Sequence, residues 1–157
     1  MSLPKPESVW DYPRPPRIES IDWPLKIVHR GQTLAETVRA VRVLETSHPP
    51  SYYFPMADVD GSRLVPSDSS SWCEWKGRAR YWHLEDRGHP TILDCAWSYP
   101  SPVQYQLNNR ISFYAGRVDA CFIHGEPVLA QAGDFYGGWI TRWLTGPFKG
   151  APGTLGW

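Results

Sequence analysis

Nine residues, Glu45-Thr-Ser-His-Pro-Pro-Ser-Tyr-Tyr53, hold the chain's densest set of groups able to do chemistry: an acid, an imidazole, hydroxyls and two phenols. Pro49 and Pro50 stiffen the stretch, because proline fixes φ and removes a donor. Glu45 and His48 are three residues apart, and at a strand end leading into a proline-fixed turn they can converge on one cavity. A carboxylate beside an imidazole raises its pKa and orients its tautomer, a preparation for acid/base work. The competing role is structural, with Glu45 capping local backbone groups and His48 ordering the turn.

A second stretch, Trp72-Cys73-Glu74-Trp75-Lys76-Gly77, and a third, Ala96-Trp97-Ser98-Tyr99-Pro100, also mix aromatics with polar groups. Lys76 can bind a substrate carboxylate or phosphate, or offset developing negative charge. Desolvated, it would serve as a base or Schiff-base amine; as a surface residue it would merely lie over Trp75. Cys73 is a candidate nucleophile with His48 as its base, although free cysteines are more often buried and inert. Tyr52, Tyr53, Trp75, Tyr81, Trp97 and Tyr99 are the candidate substrate-binding walls, and each also suits a core. Glu45, His48, Tyr53, Cys73, Lys76 and Trp97 are together expected to face one cavity. A closed Glu45–Lys76 ion pair under the aromatics is the alternative. The five histidines show no HxH or HxxxH spacing, and no cysteine pair is present, so neither a metal site nor a cofactor is expected.

These stretches need strands to position them. Leu25 to His29 and Thr33 to Val38 read as a hairpin about Arg30-Gly31-Gln32. The β-branched residues from about Ala40 to Leu44 predict the strand that delivers Glu45. Ser51 to Pro55, Leu64–Val65, Gly77 to Glu85, Thr91 to Tyr99, Ile111 to Tyr114 and Asp119 to Ile123 read as further strands. Pro66 to Ser71 reads as a polar loop, Met56 to Asp60 as one helical turn, and Val103 to Asn108 as a short helix. Ile140 to Leu144 fits a final strand or a helical turn, and Gly146 to Trp157 a docked tail. Short strands with frequent turns predict an all-β, mainly antiparallel, single-domain sandwich or open barrel with a few short helices. Five prolines make residues 1–20 an extended arm before the β domain of residues 21–157.

Composition narrows the functional classes. With 16 Lys+Arg against 16 Asp+Glu, there is no basic excess of the kind nucleic-acid binding uses. No run of 18 apolar residues and no signal peptide is seen, so no membrane association is expected and the cytosol is the default compartment. Cys73, Cys95 and Cys121 are odd in number and widely spaced, against a disulfide framework. Nine Trp, eight Tyr and five Phe suit both a core of flat side chains and an aromatic pocket.

Arg42 to Tyr53, Cys73 to Gly77, Ala96 to Pro100, Gly116 to Cys121 and Gly137 to Gly150 together resemble the domain-of-unknown-function 427 family, a resemblance running from Val9 to Trp157. It implies a mainly β domain and no settled function. The family has carried a nucleotidyltransferase label, but the chain lacks a Gly-Ser followed by paired Asp and a phosphate-cradling glycine-rich loop between strand and helix. The leading expectation is a cofactor-independent enzyme acting on a small organic, aromatic or cyclic, substrate by general acid/base catalysis: an isomerase, cyclase, lyase or hydrolase. A nucleotide-handling enzyme, with Lys76, Arg78 or Lys149 on phosphates, is the second reading. A non-catalytic ligand-binding module is the third. The sole partner expected is the small molecule, and a homo-oligomer is left open.

Overall fold

The computed structural model describes residues 2–133 and 135–157. Its strands are β1 (Glu7–Ser8), β2 (Arg17–Ser20), β3 (Leu25–His29), β4 (Gln32–Thr37), β5 (Val41–Leu44), β6 (Ser51–Pro55), β7 (Leu64–Cys73) and β8 (Gly77–Leu84). They continue with β9 (Ile92–Ser98), β10 (Arg110–Phe113), β11 (Ala120–Ile123), β12 (Glu126–Pro127), β13 (Leu129–Ala130), β14 (Trp139–Ile140) and β15 (Leu144–Thr145). A seven-stranded sheet runs in the order β2-β5-β6-β10-β9-β8-β7, and a four-stranded one in the order β12-β11-β3-β4. Every neighbouring pair in both is antiparallel. The outer strands β2 and β7 do not meet, so the large sheet stays open rather than closing into a barrel. The fold is all-β, as expected.

Strand alternation gives the large sheet two different faces. One packs on the small sheet: Tyr52 and Phe54 of β6, Ile111 and Phe113 of β10, and Leu84 of β8 meet Leu25, Ile27, Leu34, Cys121 and Ile123, with Trp139 among them. Burying each large apolar side chain there contributes about 1.5–3 kcal/mol. On the opposite face lie Val41, Val43, Tyr53, Ala79, Trp97 and Tyr99, joined by Leu107 and Tyr114 from loops. The site lies on this face.

Two expectations are corrected. Pro66 to Ser71 is part of β7, not a loop. As an edge strand β7 turns its polar side chains to solvent, and a register break between Pro66 and Ser70 absorbs the residues between them. Residues 1–20 run along the body of the domain. β2 pairs with β5, and β1 pairs in parallel with β15. The buried Arg42 guanidinium grips both oxygens of Glu7 at 2.8 Å and reaches Glu19 at 3.2 Å, while its flat face lies 4.8 Å from the Trp23 ring centre. Finally, Val103 to Asn108 forms only the 3₁₀ turn Tyr105–Leu107, and residues 140–144 are divided between β14 and β15. The other helical pieces among the described residues are also 3₁₀ turns, Met56–Asp58 included. Among the described residues no helix is long and apolar enough to cross a membrane.

Candidate functional site

The loop from β5 to β6 presents Glu45 and His48. Its turn is closed by the His48 N–H donating to the Glu45 carbonyl at 3.0 Å, with Ser47 in a left-handed conformation at φ 70. Neighbouring segments fix it from outside: Ser47 N–H donates to Val9 O (3.0 Å), Thr46 N–H to Pro13 O (3.2 Å), and Lys149 N–H to Ser47 O (2.8 Å). The His48 ring bonds through Nδ1 to the Thr46 carbonyl at 3.0 Å. A carbonyl only accepts, so Nδ1 carries the proton and Nε2 keeps its lone pair. Nε2 has no hydrogen-bond partner among the described residues. Tyr136 meets the ring edge to face, 5.0 Å between centroids.

Lys76 comes from the turn between β7 and β8. Gly77 ends that turn at φ 109, a backbone that L side chains rarely adopt, and the Lys76 carbonyl accepts from Val103 N–H at 2.9 Å. The Lys76 ammonium makes no ion pair or hydrogen bond with a described residue, and neither does the Glu45 carboxylate.

Both turns open onto one cavity of about 300 Å³ on this second face of the large sheet, at the small end of the usual ligand-site range. Glu45, His48, Cys73 and Lys76 line it with Tyr81, Trp97, Tyr99 and Tyr114. Trp97 Nε1 donates to Tyr53 Oη at 3.2 Å, the Tyr53 and Tyr99 rings lie tilted with centroids 6.3 Å apart, and the Tyr81 and Ser71 hydroxyls share a 2.9 Å bond. The outer wall is the segment Phe135 to Gly138 with Lys149. Here backbone lies directly on rings: a Cβ on Gly137 would sit 2.2 Å from Trp97, and one on Gly138 would sit 2.4 Å from Pro49 O. Gln131 fastens the wall, accepting from Gly138 N–H at 2.9 Å and donating to Lys149 O at 2.7 Å.

Burial lowers the His48 pKa below its usual 6.5, and Lys149 and Lys76 push the same way against Glu45 and the Thr46 carbonyl. Its imidazole is therefore neutral at pH 7. Burial disfavours the Lys76 ammonium, but the acidic groups of Tyr53, Cys73 and Glu45 prevail and hold its pKa above the ordinary lysine value. Burial, with Tyr53 alongside, raises the Tyr99 phenol far above its usual range, so it is a hydrogen-bond donor and not an anion. The site thus combines a neutral base, a firm cation, a carboxylate and neutral phenols. Among the described residues no three His, Cys, Asp or Glu side chains cluster as metal ligands.

Not all residues marked in the sequence meet here. Tyr52 is on the opposite face, tilted against Trp139 in the main core, and burial raises its pKa to about 12 against the opposing charge of Arg42. Tyr53 is fully buried and supports the floor from behind through Trp97 and Tyr99. Trp75 packs behind Val41, Val43 and their neighbours without lining the cavity, while the exposed Trp72 of the same stretch does line it. Cys95 and Cys121 are buried free thiols. Sequence reasoning missed Gln131, Phe135, Tyr136, Gly137 and Gly138, and considered Lys149 only for phosphate contact. The Gly137-Gly138 pair set between Tyr136 and Trp139 was the available signal, since adjacent glycines among aromatics mark backbone packed against rings.

A mainly antiparallel β protein with an aromatic-walled, mixed-charge cavity on one face of its large sheet is the class that fold and site define. The chain belongs to the family described as a domain of unknown function (DUF427), whose family model matches residues 17–124. That span is narrower than the resemblance from Val9 to Trp157. It holds the cavity floor and the two turns, while Gln131 to Gly138 and Lys149 lie beyond it. No curated protein matches the chain.

Proposed function

We propose that the cavity binds a small organic substrate and transforms it by general acid/base catalysis without a cofactor. One observation carries this reading: an unpartnered base, His48 Nε2, and an unpartnered cation, Lys76 Nζ, belong to the same aromatic-walled site. His48 would take a proton from the substrate, its tautomer fixed by Thr46. Lys76 would hold the negative charge that develops, where a low-dielectric wall makes a cation most effective. Tyr99 and Tyr81 would donate to substrate oxygens, and Cys73 would flank the reacting group. Isomerisation, cyclisation, elimination and hydrolysis all fit these roles, in a cytosolic protein.

The test is a turnover screen of small carboxylic acids and carbonyl compounds by NMR, with wild type beside His48→Asn. Wild type is expected to convert at least one class. The variant should keep its circular dichroism and lose about 10²–10⁴-fold in rate, the usual worth of a positioned general base. Equal turnover in the variant would remove His48 from the chemistry. Ligand binding without any turnover would leave a binding module. A thermal shift that appears only with nucleotide and Mg²⁺ would instead favour the nucleotide-handling reading.

A further inference from the structure

Glu45 and Lys76 carry opposite charges into one cavity and do not close on each other. Each is held on its own turn, by backbone bonds to Val9, Pro13 and Lys149 around the first and to Val103 at the second. Each is half-buried, and no described residue forms a direct ion pair or side-chain hydrogen bond with either. Charged groups withdrawn from bulk water are costly without a counter-ion, and a flexible lysine free to reach a carboxylate would normally do so. The separation therefore leaves a gap with a negative end and a positive end. Its walls are Trp97, Tyr99, Tyr114 and Tyr136, whose ring faces accommodate an apolar body and also attract an ammonium. A volume near 300 Å³ corresponds to about ten waters, hence to a ligand of about ten non-hydrogen atoms.

We infer that the natural ligand is a small zwitterion of the amino-acid class with a cyclic or aromatic body, its carboxylate on Lys76 and its ammonium on Glu45. A singly charged ligand satisfies one of these residues and leaves the other unpaired; a zwitterion satisfies both. The inference rests on reading the cavity as the site of a small organic molecule, and it names the class that the charges select.

Three matched probes test it on the full chain by isothermal titration calorimetry and by the indole resonance of Trp97: L-phenylalanine, 3-phenylpropanoate and 2-phenylethylammonium. Phenylalanine is expected to bind about 10- to 100-fold more tightly than either singly charged analogue, the worth of one charge-assisted contact. Glu45→Gln should erase its advantage over phenylpropanoate, and Lys76→Met its advantage over phenylethylammonium. The comparison on wild type stands even if a variant fails to fold. Phenylpropanoate binding as tightly as phenylalanine would overturn the zwitterion while leaving the acid/base reading in place. Absence of binding by all three would overturn it too, and so would a preference for phenylalanine that survives both substitutions. The His48→Asn turnover screen fails or succeeds independently of these outcomes.

Discussion

His48 is the residue whose state decides what the cavity can do. Its imidazole titrates below 6.5 because of burial, with Lys149 and Lys76 adding to the depression and Glu45 opposing it. Following its ring resonances with pH should therefore give a midpoint under 6.5, raised by Lys76→Met and lowered further by Glu45→Gln. A midpoint unmoved by both would separate these groups from the imidazole. The sign for stability follows from proton binding: the unfolded chain takes up its proton first as pH falls. The contribution of His48 is thus complete above 6.5 and is lost below it. Glu45, His48, Cys73 and Lys76 were legible in the sequence because each pair is close along the chain and ends in a turn-forming proline or glycine. Tyr52 and Tyr53 were not separable. Successive strand residues face opposite ways, and composition does not reveal which parity a sheet will bury.

At the level of elements, the strands were readable wherever β-branched or aromatic residues filled them, as in β3, β5 and β9. β7 was hidden because Pro66 to Ser71 offers no apolar alternation; an edge strand half in solvent needs none. The outer wall was harder still, since Phe135 to Gly138 has no regular structure and owes its place to contacts with Trp97, Pro49 and Gln131. Those contacts make a sharp test. Gly137→Ala would drive a methyl into the Trp97 ring, so the wall must move. We expect a loss of about 1–3 kcal/mol on urea unfolding, the usual cost of overpacking, together with a shift in tryptophan fluorescence. Wild-type stability with unchanged emission would mean the wall does not rest on the ring.

The molecule as a whole is held by a few shared ion pairs in addition to its core. Arg42 ties Glu7 and Glu19 to β5. Arg42→Ala should cost about 3 kcal/mol by chemical denaturation, the low end for a broken buried pair because both carboxylates keep some solvent. A cost under about 1 kcal/mol would place this triad with ordinary surface pairs. Elsewhere Asp86 takes hydrogen bonds from Arg63 and Arg30, which hold its carboxyl far below the usual 3.8. For Glu7, burial opposes ionisation, but Arg42 overrides it and keeps the pKa under 4.5. Both groups add stability that is present above their unfolded values and is lost as pH falls through the folded ones. His29, buried and lowered from 6.5, acts with His48. Unfolding free energy should therefore decline in two stages on acidification, the first beginning near 6.5 and the second near 4.5, and denaturation curves across pH would show it. Stability rising from pH 7 to 5 would contradict the histidine part.

The parallel pairing of β1 with β15 sets Glu7 opposite Leu144, and Trp10 rests against Trp157 with ring centres 5.2 Å apart. Lys149, which completes the cavity and bonds the turn carrying His48, lies between these late contacts. During synthesis the large sheet has all its strands once residue 113 has emerged, yet the cavity wall must wait for residue 149. Pairings this distant along the chain are slow to form. A nascent chain stalled in that interval would carry a folded sheet with an unfinished pocket, its Trp97 and His48 open to contact with other molecules.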